Sequence, residues 1–398
     1  MVLTFSSLYI LAVGGNSSQI GIVNSLMPLA GLIMFPVSGY LADRTSRVKL
    51  VALADFLSAL TMFCYIFAES WEWIAVGAFL QGFMVFSFPP TSAILADSLD
   101  PSNRGVGIAI MTTMANAVAV FSPYIAAIIT DIYGIDLGMR ILYGLLGLQF
   151  LFSSILVYRK LKETSIHDQS NSMISLVAII RESYSGIPDL WRNMSKSVKS
   201  LGLVVLMGFI ANGVASPFWV VYSTEVIKLS TIEWGLILLY ETILKVLLTI
   251  PGGVISDRIG RTITLLASVA ISLISLPSLI FVDDFKGVLF VRFGAAIAGA
   301  LFMTSSTALM ADYVPRSLRG RVMAAIGRGS VLIGATGGGT GGPGMGYLFT
   351  IPVIISSMVG GLLYALNPSF PWIVVMATCA IQVFTVIFFI KEPTSKEI

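Results

Sequence analysis

Charged residues are scarce in this chain: they make up 11% of its 398 residues, against a usual share of about a quarter in soluble domains. Hydrophobic residues make up 56%. This composition excludes a soluble globule and indicates that most of the surface faces lipid. The net charge of +3 is small and spread over several loops, which excludes a basic stripe for nucleic acid.

Cysteine and histidine are nearly absent. Cys64 and Cys379 both lie inside apolar runs, which favours buried thiols that pack as small hydrophobic groups over a disulfide framework. The single histidine, His167, lies in a polar connection. With neither a metal-binding cluster nor a nucleophile paired with a base, the sequence predicts no metal, no cofactor and no enzymatic activity.

Long apolar runs are abundant instead. The clearest cover residues 19–41, 73–96, 201–224, 262–281 and 371–390. Each can cross a hydrocarbon core of roughly 30 Å as a helix, and none alternates as a barrel strand does. We count twelve such runs, the first abnormally short, and predict an all-α membrane protein with twelve transmembrane helices.

A long polar connection at residues 160–199 divides the chain. We predict a six-helix half over residues 1–159, a linker over 160–199 and a second six-helix half over 200–398. Of the 24 Lys and Arg, Lys245 lies inside a span and four lie opposite the linker, so the linker side holds 19 (24 − 5). The positive-inside rule makes that side cytoplasmic, with both termini there, in a multi-pass protein of the cell membrane.

The two halves repeat each other in sequence. The segment 39–47 recurs at 253–261 with an offset of 214 (257 − 43), and the segment 96–105 recurs at 311–320 with an offset of 215 (312 − 97). Two nearly equal offsets at independent places indicate duplicated halves, a common architecture of secondary transporters.

The repeated turn has the pattern Gly-x-x-x-Asp-Arg-x-Gly-Arg, and it resembles the signature loop of the major facilitator superfamily. The resemblance implies a latch that joins the two halves on the cytoplasmic face and opens during transport. Its residues are Gly39, Asp43, Arg44 and Arg47 in the first copy and Gly253, Asp257, Arg258, Gly260 and Arg261 in the second. The first copy departs from the family pattern at Ser46, where glycine is usual. The alternative is a charged loop that only fixes topology.

Four further charges occupy the helix ends that face this loop: Asp97, Arg104, Asp312 and Arg319. They are expected either to pair with the latch or to cap and anchor helix ends.

Charges inside the spans indicate function, because burying them in lipid is costly. Glu241 and Lys245 are four residues apart and share one helical face, so we predict an ion pair that couples binding to conformational change, or one that only stiffens the helix. Asp55 lies two turns inside its span, where water or the basic loop reaches it. Arg292 begins its span, where snorkelling to the interface explains it.

Uncharged residues in the spans complete the predicted solute cavity or, alternatively, only pack and form hydrogen bonds between helices. They are Asn24, Gln81, Asn116, Asn212, Phe218, Trp219, Tyr222 and Tyr240. Two motifs of the resembling family are weak here. Ala78 stands where an arginine is common, and the antiporter signature is present only as a degraded copy that begins at Ser122-Pro123.

A glycine-rich insertion at residues 334–346 distinguishes the second half. No Gly-Lys-Ser/Thr follows it, so it is expected to act as a hinge or a linker and not as a phosphate loop. At the other end of the chain, the shortness of the first run predicts that the natural protein starts upstream of Met1. The alternative is a genuine half-span that neighbouring helices cover.

Together these features predict a secondary active transporter that moves a small solute by alternating access with a proton or other ion as the coupling partner. It is expected to be a monomer in contact with membrane lipid, without nucleic acid. The alternatives are multidrug-type efflux of apolar compounds and a non-transporting receptor on the same fold.

Overall fold

The computed structural model describes residues 2–99, 119–164, 194–314 and 347–392 throughout, with single positions between 107 and 117 and at 192, 322 and 326. Regular structure in these ranges is helical, and they contain no strand. Ten of the described helical segments are long and apolar enough to cross a membrane. The predicted all-α membrane fold is confirmed.

The first half consists of six spans, of which the first is short. They are Ser6–Ala12 (span 1), Ser17–Arg44 (span 2), Arg47–Ile66 (span 3), Trp71–Phe83 continued by Phe88–Asp97 (span 4), Ser122–Tyr133 (the described part of span 5) and Ile135–Lys160 (span 6).

The second half repeats this order. Its spans are Lys196–Ala215 with its irregular continuation to Val226 (span 7), Thr231–Ile259 (span 8), Arg261–Ser275 with the turn Pro277–Phe281 (span 9), Phe285–Tyr313 (span 10), Tyr347–Leu366 (span 11) and Phe370–Phe389 (span 12). The layout is that of twelve spans in two halves. The glycine-rich insertion lies outside the described residues.

Spans 2 and 8 begin with equivalent capping boxes. Asn16 accepts a hydrogen bond from the backbone N–H of Gln19, whose side chain accepts from the backbone of Asn16. Ser230 and Glu233 form the same reciprocal pair. Each box satisfies two N–H groups that a helix start leaves without partners. The 214-residue offset (230 − 16) therefore extends to the first turn of both helices.

We call the end of the bundle with Ser46, Lys160 and Gly260 the linker face and the other end the opposite face. The halves meet near the opposite face through small residues. A Cβ on Gly21 of span 2 would lie 2.5 Å from the carbonyl oxygen of Ser357 in span 11, and one on Gly235 of span 8 would lie 2.3 Å from the Cβ of Ala127 in span 5. The helices therefore approach closely at both places, backbone against backbone at Gly21 and backbone against the Ala127 methyl group at Gly235.

Candidate functional site

A buried ion pair joins spans 8 and 10. The Arg292 Nε donates a hydrogen bond of 2.8 Å to Glu241 Oε2, and Nη2 donates to the same oxygen. The side chains are 1% and 9% exposed. The expectation that Arg292 snorkels to the interface is wrong, because its guanidinium points into the bundle, where the carboxylate offsets part of its desolvation cost.

Tryptophan rings surround this guanidinium. The Arg292 Cζ lies 4.4 Å from the ring centre of Trp219 and 5.9 Å from that of Trp234. Trp219 meets Trp372 edge to face at 4.3 Å, and Tyr222 contacts Trp372 at 5.8 Å. A cation over an indole face is stabilised by the ring quadrupole, most strongly where water is excluded. The rings thus fix the arginine against Glu241.

Lys245 lies one turn further along span 8, at the midpoint of the 29-residue helix. A Cβ built on Gly299, the midpoint of span 10, would lie 3.6 Å from its Nζ. The predicted ion-pair partner of Glu241 needs correction: among the described residues Glu241 pairs with Arg292 and not with Lys245. The guanidinium of the neighbouring helix donates to this carboxylate through two nitrogens, and both hydrogen bonds are charge-assisted.

The other predicted polar residues are distributed through the bundle. Asp55 accepts a hydrogen bond of 2.6 Å from Ser153 between spans 3 and 6. Gln81 accepts one of 2.6 Å from Thr61 between spans 3 and 4. Asn24 donates to the carbonyl of Ile20 at 2.9 Å. These contacts stabilise packing within the first half.

Of the remaining predicted cavity residues, Asn212 is buried and its side-chain oxygen has no partner among the described residues. Phe218 is buried and stacks on Tyr364, whereas Tyr240 is 44% exposed. Asn116 lies outside the described residues. No group of three or more His, Cys, Asp or Glu that could bind a metal occurs in the described ranges.

At the linker face the repeat is visible as two equivalent ion pairs. Arg47 Nη1 contacts Asp97 Oδ2 at 2.7 Å in the first half, and Arg261 contacts Asp312 in the second. Arg261 also lies 3.6 Å from Asp257. Each of these described pairs joins residues of one half.

The other latch residues surround these pairs. Arg44 donates to the hydroxyl of Tyr40 at 2.8 Å, and Arg258 is exposed. Gly253 lies near the linker end of span 8, close to Thr304 of span 10. The backbones of Gly39 and Asp43 lie in span 2. The side chain of Asp43, together with Arg104 and Arg319, lies outside the described residues.

Two glutamates that the sequence analysis overlooked complete this face. Glu392, after span 12, accepts hydrogen bonds of 2.8 Å from the backbone N–H groups of Arg261 and Thr262 at the start of span 9. Glu163, after span 6, accepts from Arg47 and Val48 at the start of span 3, at 3.2 and 3.3 Å. Carboxylates at helix N-termini are favoured because the N–H groups and the helix dipole are both positive there.

The difference between the two signature loops has a backbone cause. Gly260 adopts φ +115°, a conformation that disfavours residues with a Cβ. Ser46, at the equivalent position, adopts φ −59° and accepts a hydrogen bond from the Lys49 N–H. Glycine is therefore required only in the second copy.

Replacing Glu392 with glutamine is expected to loosen the start of span 9. Partial burial raises the Glu392 pKa, but hydrogen bonds from Thr262 and Arg261 and the Arg261 charge outweigh it and lower the pKa below 4.5. An exposed interaction of about 1 kcal/mol predicts roughly fivefold faster hydrogen exchange at the Arg261 and Thr262 amides.

The same measurement across pH provides the control. Since the folded pKa is depressed, the stabilisation is complete above about pH 4.5 and is lost as the pH falls through the folded value. The exchange ratio between wild type and Glu392→Gln, corrected for the intrinsic rate, should approach one below that value. An equal ratio at neutral pH would contradict the assignment.

The comparisons with known proteins agree with this architecture. The family model of the Major Facilitator Superfamily matches residues 1–239 and 187–398. The chain is 26% identical over 321 residues to the multidrug resistance protein MdtG of Klebsiella pneumoniae, which covers 78% of this chain and 74% of that protein. It is 23% identical over 167 residues, 41% of each chain, to the efflux pump PmrA of Streptococcus pneumoniae.

Solved structures show the same fold. A mutant form of the nucleoside transporter NupG matches with a TM-score of 0.72 at 12% identity and covers 98% of this chain and 95% of its own. An inward-facing bacterial homologue of the lysosomal transporter Spinster matches with a TM-score of 0.68 at 13% identity, covering 99% and 94%. The family model matches the chain twice, over residues 1–239 and 187–398, and the six spans of the first half recur in the second. The chain therefore belongs to the major facilitator superfamily.

Proposed function

We propose that this chain is a secondary active transporter that moves a small solute across the cell membrane and draws on a proton or other ion gradient. The observation that carries the proposal is the buried pair of Glu241 and Arg292. A charge pair within the membrane is expensive, and it lies in one half only, because the repeat places Met27 at the position of Glu241. Protonation of Glu241 would release Arg292 and thereby couple a proton to a rearrangement of spans 8 and 10.

The difference between the two faces supports alternating access. Spans 2 and 11 and spans 5 and 8 touch near the opposite face, whereas the described ion pairs at the linker face join residues within each half. These contacts support a state closed at the opposite face. We assign the linker face to the cytoplasm from its 19 basic residues (24 − 5), with both termini there and a monomer as the working unit. Asp43, Arg47 and their repeats would form the cytoplasmic latch in the other state.

Efflux of apolar compounds is the second candidate. It is favoured by the names of the relatives, which describe multidrug resistance and efflux. Against it stands the degraded span 5 signature, where Ala126 and Ala127 are fully buried in place of two glycines. A non-transporting receptor on the same fold is the third candidate.

A ligand screen followed by a flux measurement distinguishes these functions. Purified protein is screened for solutes that raise its melting temperature, and each hit is tested for uptake into proteoliposomes with and without a pH gradient. A transporter accumulates the hit only with a gradient. Ligands that stabilise the protein without crossing the membrane would overturn the proposal in favour of a receptor, and ethidium efflux would favour the second candidate.

A further inference from the structure

The membrane interior around Glu241 contains more positive than negative charge. Within the described helices, Glu241 and Asp55 are the only acidic residues more than two turns from a helix end. Asp55 lies between spans 3 and 6 of the other half and is bonded to Ser153. Glu241 is therefore the carboxylate available to both Arg292 and Lys245, and the three side chains carry a net charge of +1.

Lys245 is the cation left over from this pairing. Its ammonium lies beside Gly299, at the midpoint of both span 8 and span 10, and the side chain is partly exposed. In the described part of the chain no hydrogen bond or salt bridge reaches its Nζ. Lys245 shares the single nearby carboxylate, Glu241, with Arg292, and a cation that is only partly compensated within the membrane is destabilising. An anion bound beside Lys245 would offset that cost.

Buried donors without acceptors lie in the same cluster. Arg292 Nη1, Trp234 Nε1 and Trp372 Nε1 are buried and have no partner among the described residues. Arg292 and Trp372 both contact the Trp219 ring, and Trp234 lies 5.9 Å from the guanidinium. All three groups can only donate hydrogen bonds, so the partner that each of them lacks is an acceptor. A buried donor without an acceptor is destabilising.

We propose that the transported solute is a small organic monoanion, such as a carboxylate, and that Lys245 is its principal charged contact. This inference rests on the proposed function and names its substrate class. A carboxylate neutralises the surplus charge and accepts from the unpartnered donors. A cationic solute would meet two cations against one carboxylate, and a neutral solute would leave the charge uncompensated.

Matched probes test the charge class directly. Purified protein at fixed ionic strength is titrated with acetate, lactate, benzoate and indole-3-acetate, with the amide of each, and with ethylammonium, benzylammonium and tryptammonium. The melting temperature is the readout. At least one carboxylate is expected to give a saturable increase that its amide and ammonium counterparts do not give.

Variants at Lys245 separate binding from general salt effects. Loss of a charge-assisted hydrogen bond of about 1.5–3 kcal/mol predicts that Lys245→Gln weakens the protecting carboxylate about 10- to 150-fold. Lys245→Arg should stay within a few fold of wild type. Lys286→Gln is the matched control, since it removes one exposed positive charge near the start of span 10 and should change nothing. Without ligand, Lys245→Gln should melt no lower than wild type, because it removes a positive charge whose one nearby carboxylate is already paired with Arg292.

The results have distinct meanings. Three results would overturn the anion inference. No carboxylate raises the melting temperature more than equimolar sodium chloride does, a carboxylate stabilises Lys245→Gln as much as wild type, or an ammonium probe stabilises wild type more than its carboxylate counterpart does. Gradient-driven accumulation of a neutral or cationic solute would overturn the anion inference while leaving the proposed transport function intact. Saturable carboxylate binding without flux would overturn the proposed transport function and leave the anion inference intact.

Discussion

Glu241→Gln is expected to abolish gradient-driven accumulation of the solute, with a loss of at least about 100-fold. The change leaves the Arg292 guanidinium buried without its carboxylate, and breaking a buried pair in this way costs about 3–5 kcal/mol. Because the cost falls on the state that contains the pair, it corresponds to roughly 150- to 5,000-fold in the equilibrium between that state and one in which the pair is already open. Glutamine also cannot lose a proton, so the proposed coupling step is removed. Uptake into proteoliposomes under an imposed pH gradient measures the effect.

The double variant Glu241→Gln with Arg292→Gln is the control that separates stability from coupling. The double variant contains neither charge, so no unpaired guanidinium remains in the bundle. Its melting temperature should therefore return to within a few degrees of wild type. Accumulation should not return, because Glu241, the proposed coupling residue, is still missing. If the double variant transports at the wild-type rate, the pair is structural. Wild-type accumulation by Glu241→Gln alone would contradict the proposal outright.

The spans and the repeat could be predicted from sequence because both are local properties. Twenty apolar residues form a helix in lipid whatever surrounds them, and the two signature loops carry their own register. Even the capping boxes at Asn16 and Ser230 follow the 214-residue offset. Nothing in these features depends on how the helices are arranged.

The ion pair could not be predicted in the same way. Glu241 and Lys245 suggested a pair by their spacing along one helix, whereas the true partner, Arg292, is 51 residues away. Its position near the start of span 10 resembled an interfacial arginine. Only the packing of span 8 against span 10 shows that the two side chains meet. A pairing between helices is a tertiary property that helical periodicity does not encode.

The glutamates at the linker face did leave a sequence signal. Lys162-Glu163-Thr164 follows span 6, and Lys391-Glu392 follows span 12, so each half ends with the same Lys-Glu step. These steps lie outside the signature loops, from which the 214-residue offset is read. The target of each glutamate, the first turn of span 3 or span 9, still required the structure.

Gly21→Val is expected to prevent closure of the opposite face and to lower the transport rate at least about tenfold. The new Cβ would lie 2.5 Å from the carbonyl oxygen of Ser357 and 2.9 Å from the Cα of Gly361. Both neighbours are backbone atoms, which cannot turn aside as a side chain could. An overpacking cost of about 1–3 kcal/mol, confined to the closed state, shifts the equilibrium between states roughly 5- to 150-fold.

The conformational shift can be measured apart from the rate. Spin labels at Glu69 and Asn367, which are exposed on the opposite face in different halves, report their separation once Cys64 and Cys379 have been replaced. Gly21→Val should increase the population with the longer distance. Gly144→Val is the matched control, because a Cβ there has no heavy atom within 4 Å. It should change neither distance nor rate by more than about twofold.

The repeat extends this prediction to the second contact between the halves. Gly235 is the equivalent of Gly21 at the 214-residue offset, and its Cβ would lie 2.3 Å from that of Ala127. Because Ala127 already carries a methyl group where span 11 has Gly361, Gly235→Val should impede closure at least as strongly as Gly21→Val. Both variants should shift the spin-label distance in the same direction, since both contacts form in the same closed state. An effect of Gly21→Val alone would mean that spans 5 and 8 stay together throughout the cycle, and that span 2 moves against span 11 without them.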